Sequence, residues 1–109
     1  MNIPELALEK EHKNMYHIFL FHTEEGWCAF GYSAFYLNMI HTELKATKEL
    51  ESEHGQYIPC IAVSELCLME LTEVHHTLVY DDWIQIDVPP TTYCYNDNYD
   101  KWCNGLHAN

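Results

Sequence analysis

Arginine is missing from this sequence altogether, and its five cations are all lysines: Lys10, Lys13, Lys45, Lys48 and Lys101. Without Arg there is no planar fork to grip a phosphate or carboxylate in two places. With so few Lys the chain neutralises few phosphates, which argues against direct nucleic-acid binding. Anionic membrane surfaces are disfavoured for the same reason. Glycine is scarce, at four residues. No G-x-G-x-x-G, Walker or G-x-S-x-G motif occurs, so the common nucleotide and hydrolase signatures are absent. No apolar run reaches membrane-spanning length. Met1-Asn2-Ile3-Pro4-Glu5 leads into an acidic segment and not into an apolar signal region. A cytoplasmic protein with reduced thiols is therefore the expectation.

Acid is what the sequence has in excess. Its 17 carboxylates give a formal net charge of -12 over 109 residues. Five acids oppose two Lys in residues 1–36, six oppose two in 37–72, and six oppose one in 73–109. The charge belongs to the folded surface and not to a detachable block. It serves solubility, and it also suits docking onto a basic partner. Eight His gain charge as pH falls, so such docking should weaken in acid. The apolar fraction of 48% and aromatic fraction of 14% supply a core, and the length suits one domain.

Patterning points to an α+β domain with a small, mostly antiparallel sheet of three to five strands and two or three helices. Residues 5–13 have helix-forming composition after Pro4. Residues 16–22 are apolar on both faces and read as an interior strand. Residues 23–26 form a Gly-ended loop to a second strand at 27–30. Pairing His22 with Trp27 sets Phe21 against Cys28 and Phe19 against Phe30. Ser33 suits the N-cap of a helix from Ala34, which pauses near Thr42 or runs on to Glu53 before Gly55. Residues 57–63 read as a strand, placed at an edge or started by Pro59. Ser64 suits the cap of a short helix over 65–71, although the alternation of Cys67, Met69 and Leu71 would also suit a strand. Residues 77–80 and 83–88 are strands joined by a tight turn at Asp81-Asp82, and Pro89-Pro90 ends the sheet. Residues 1–90 thus form the domain. Residues 91–109 form an aromatic, acidic tail that packs on it or is partly disordered.

Chemical motifs are weak. Cys94-x8-Cys103-x3-His107 lacks paired zinc-ligand spacing. His75-His76, and His17 with His22, would point to opposite faces of a strand. Cys28 lies across the expected hairpin near His22, the minimum for an activated thiol, yet sits in an apolar run. With Cys60 and Cys67 it reads as a small core residue. Glu24-Glu25 and Asp81-Asp82 occupy turns, where acids are usually solvated. No catalytic residue, metal ligand or cofactor is assigned.

The leading expectation is a non-enzymatic acidic protein that binds a basic partner protein, a nucleic-acid mimic being one form of it. Asp81, Asp82, Tyr93, Tyr95, Tyr99 and Trp102 are the candidate contacts, with self-association a further use of the aromatic tail. The competing class is a small Cys/His enzyme or a small-ligand-binding domain.

Overall fold

The first hairpin fixes the centre of the sheet. In the computed structural model, which describes residues 3–12, 17–51, 55–87 and 96–108, β1 (His17–Thr23) pairs antiparallel with β2 (Gly26–Phe30). The register is the expected one, with His22 opposite Trp27 and Phe21 opposite Cys28. The connection is tighter than expected: Thr23 pairs with Gly26, leaving a two-residue turn at Glu24-Glu25. Gly26 takes a φ of 100°, which an L side chain resists. Thr23 Oγ1 locks the turn by accepting from the Glu25 N–H at 3.1 Å and donating to the Gly26 carbonyl at 3.0 Å.

Gly31 lets β2 pass directly into α2 (Gly31–Ile40). Its φ is 60°, and a Cβ there would meet Glu11 Cγ at 3.1 Å. Helix α2 thus starts three residues earlier than the sequence suggests, and Ser33 is not its cap. No side chain of the N-cap residue Phe30 satisfies the first turn. The carboxylate of Glu11 does so instead, accepting from the Ser33 N–H at 3.2 and 3.3 Å. Glu11 belongs to α1 (Glu5–His12). An anion at a helix N-terminus is favourably placed, and here it comes from a separate element.

Six strands and four helices are present among the described residues, more than the sequence reading foresaw. The sheet order is β3-β4-β2-β1-β6-β5, all neighbours antiparallel. The unforeseen strand is β3 (Thr47–Glu51). Its Lys and Glu content favours helix, but pairing with β4 (Gln56–Val63) overrides that local preference. Helix α2 accordingly stops at Ile40, where the His41 N–H bonds the Leu37 carbonyl at 2.9 Å. Gly55, at a φ of 66°, serves the β3–β4 connection and not a helix end.

Pro59 lies inside the sheet, and the alternation of the ladder explains why it fits. The Lys48 N–H points outward to the His107 carbonyl at 3.1 Å, so its pair with Pro59 exchanges no hydrogen bonds. The missing N–H of Pro59 faces the β2 side, where the ladder has already ended at Phe30–Cys60. The strand is locally an edge at that residue.

Alternation divides the core between two faces. Ile18, Leu20, Ala29, Ile61, Val63, Ile84 and Ile86 pack beneath Leu37 of α2 and Leu71 of α3 (Glu65–Val74). Ser64 caps α3 as expected, accepting from the Cys67 N–H at 3.1 Å. The opposite face holds Phe19, Phe21, Cys28, Phe30 and Cys60 under Ala7 of α1. The last hairpin, β5 (Thr77–Val79) with β6 (Trp83–Asp87), turns through Asp81-Asp82 as expected. Val88, Pro89 and Pro90 lie outside the described residues. From the C-terminal segment, α4 (Asn96–Asn104) packs on α2. No helix among the described residues is long and apolar enough to cross a membrane.

Candidate functional site

Register brings the acidic turns together. Phe21 opposes Trp83, Thr23 opposes Gly26 and Trp27 opposes Val63. The Glu24-Glu25 turn, the Asp81-Asp82 turn and the start of α3 at Glu65 therefore share one end of the sheet. A hydrogen bond from the His22 N–H to the Asp82 carbonyl, at 3.5 Å, ties two of them. Lys10 reaches this end too, with its ammonium 4.0 Å from the centre of the Trp83 ring. Tyr80 stacks on the same indole at 3.9 Å.

Helix α3 carries acid and apolar tips on its outer stripe. Leu66, Met69, Glu70 and Glu73 recur at helical spacing, and all are exposed. Leu66 is 67% exposed and Met69 59%. Leu71 is the one residue of α3 that is fully buried. Val74 at the helix end and Val79 in β5 are 77% and 72% exposed. From Glu49 to Asp100 the sequence contains no Lys or Arg. Exposed apolar and acidic side chains thus occur together along α3, β5 and the Asp81-Asp82 turn.

The aromatic candidates fall elsewhere. Tyr99 of α4 stacks on Tyr32 of α2 at 4.0 Å, and Trp102 lies 5.2 Å from Phe35. The Trp102 indole N–H donates to Asn38 Oδ1 at 3.0 Å. These rings attach α4 to α2, away from Asp81 and Asp82. Burial, followed by the neighbouring Cys103, raises the Tyr99 phenol above its ordinary range. Tyr93 and Tyr95 lie outside the described residues, as does Cys94.

The thiol candidates are enclosed. Cys28 and Cys60 are buried on one face of the sheet, whereas His22 pairs with Trp27 and projects to the other. The Cys28–His22 pairing is therefore not formed. A hydrogen bond with Cys60 brings the Cys28 thiol down to about 7, aided by Thr23 Oγ1 at 3.4 Å and opposed by burial. The same bond, with burial, pushes Cys60 up. Cys67 is half-buried against the core. Among the histidines, His17 and His76 both approach Asp87, at 3.3 and 2.9 Å.

One cavity of about 460 Å³ opens where α1, the start of α2, the β3–β4 strands and α4 meet. Leu8, Glu11, Tyr32, Glu51, Ile58 and Tyr99 are among its lining residues. Glu51 is only 6% exposed. Sequence reading missed this place because its lining comes from elements up to 91 positions apart, Leu8 to Tyr99. Comparison with protein-family models, with curated proteins and with solved structures finds no significant match.

Proposed function

We propose that this domain is a non-enzymatic interaction protein that binds a basic partner protein through the surface of α3, β5 and the Asp81-Asp82 turn. The observation that carries this reading is the composition of that surface. Exposed Leu66, Met69, Val74 and Val79 are interleaved with Glu65, Glu70, Glu73, Asp81 and Asp82. A group of large exposed apolar residues suits an interaction surface, and the acids select the sign of the partner. Poly-L-lysine is a suitable first probe at low salt. Reversing Asp81 and Asp82 to Lys should weaken its binding about tenfold or more and flatten the salt dependence. Asp100→Lys, on α4, should have a smaller effect. Equal effects at both places would refute the assignment of the surface.

A second reading, a small-ligand-binding domain, draws on the cavity beside Glu11 and Glu51. Its two carboxylates and two tyrosines suit a small organic cation. Spermidine should then raise the melting temperature, and Glu51→Gln should abolish the rise.

A further inference from the structure

The two edges of the sheet are finished differently. At β3, the Lys48 N–H is taken by the His107 carbonyl, and Lys48 forms a parallel bridge with Ala108. At β5 no described residue provides such a cover. The hydrogen bonds of the last hairpin show which groups are left over. The Tyr80 N–H bonds the Trp83 carbonyl at 2.9 Å, and the Asp87 N–H bonds the His76 carbonyl at 3.0 Å. Residues 76 and 80 therefore point inward, as does Leu78 between them by alternation. The N–H and C=O groups of Thr77 and Val79 point outward, away from β6. Four backbone groups are thus aligned along one open edge.

Side chains around this edge specify what would pair with it. Thr77 and Val79 share a sheet face with Ile86 and Ile84, so an incoming apolar residue beside Val79 would extend an existing apolar row. Asp81 and Asp82 follow the strand directly, and Glu73 precedes it by four residues. Lys or Arg on the incoming segment would meet these acids. A second copy of this chain offers the same edge but adds a further net charge of -12. Charge therefore favours a different, basic chain.

We propose that β5 is a strand-addition site, at which an extended Lys/Arg-rich segment with alternating apolar residues bonds the backbones of Thr77 and Val79. This rests on the reading of the domain as a binder of basic protein, and it names how the partner is held. Main-chain bonds would supply affinity, while Val79, Asp81 and Asp82 would supply selectivity.

The test uses a short soluble peptide alternating Lys and Val, with poly-L-lysine as the comparison. Amide hydrogen exchange on the full chain reads Thr77 and Val79 directly. Both amides should exchange quickly in the free protein and become protected when the Lys/Val peptide is bound. Val79→Pro removes an outward N–H without touching the β5–β6 bonds, so the fold should persist. It should weaken the Lys/Val peptide about tenfold or more while leaving poly-L-lysine binding nearly unchanged. Peptide binding that leaves both amides unprotected would overturn strand addition while sparing the acidic-surface reading. Failure of both probes to bind at low salt would overturn the acidic-surface reading itself. Protection that appears without peptide and grows with protein concentration would make the occupant a second copy, which also overturns the proposal.

Discussion

Replacing Ser33 with alanine should cost this domain more than any other loss of a single oxygen described above. The Ser33 hydroxyl accepts from the Phe19 N–H of β1 at 2.9 Å and donates to the Glu11 carboxylate of α1. It is fully buried. The ladder between β1 and β2 runs only from Leu20–Ala29 outward, because β2 becomes α2 beside Phe19. Ser33 thus replaces the missing strand partner. In Ser33→Ala the Phe19 N–H loses its acceptor, a cost of roughly 1–3 kcal/mol for a buried donor. The bond to the carboxylate is also lost, but half-buried Glu11 can recover some hydration, so about 1 kcal/mol is added. The total of about 2–4 kcal/mol is a large share of the roughly 5–15 kcal/mol that holds a typical domain folded.

Urea unfolding followed by tryptophan fluorescence and circular dichroism measures this, and the melting temperature should fall by roughly 8–16 °C. Glu11→Gln is the control, since its amide oxygen still accepts from Ser33. It should cost only about 0.5–1 kcal/mol, the value of the charge at the start of α2. Glu11→Ala should cost less in the Ser33→Ala background than alone, because the two groups share a network. A Ser33→Ala variant within about 0.5 kcal/mol of the parent would refute the reasoning. So would strict additivity of the two alanine variants.

Two further outcomes follow from titrating groups. Burial raises the Tyr99 phenol, so its share of stability is complete below the unfolded tyrosine value of about 10 and is lost as pH rises above it. In an alkaline absorbance titration Tyr99 should ionise late and together with release of α4, a step that Tyr99→Phe removes. Ionisation of Tyr99 at its ordinary value with Trp102 still docked would contradict this. Cys28 combines a lowered thiol value, about 7, with complete burial. Iodoacetamide should therefore leave it unmodified in native protein and label it once denaturant is added. Rapid native labelling at neutral pH would show access that the packing does not allow.

How far the sequence could be read depended on the range of the interactions involved. The β1–β2 register, the Ser64 cap and the Asp81-Asp82 turn are local, and each was legible in a few adjacent residues. Strand β3 was not, because Thr47–Glu51 looks helical until β4 is set beside it. Helix α4 was not either, since Asn96–Asn104 contains poor helix formers and is attached mainly by Tyr99 and Trp102. Those rings were visible as aromatics seeking burial, but their sockets on Tyr32 and Phe35 were not. Ser33 looked like a cap because its partners, Phe19 and Glu11, stand 14 and 22 positions away. The acids of the candidate surface were each apparent. The gathering of Glu24-Glu25, Glu65 and Asp81-Asp82 at one end of the sheet required the pairing of β1 with β2 and β6 and of β2 with β4, which no local pattern contains.

The unequal finish of the sheet edges bears on how many neighbours the domain can hold. A protein with two equally open edges can serve as a link, passing strand pairing from one neighbour to the next without limit. Here residues 107 and 108 already engage β3, and the exposed edge at β5 is three residues long and bordered by acid. The β3 edge is thus partly occupied, and the length open at β5 is small. Strand addition at β5, as proposed above, would on that geometry stop at one partner and would not propagate into a fibre.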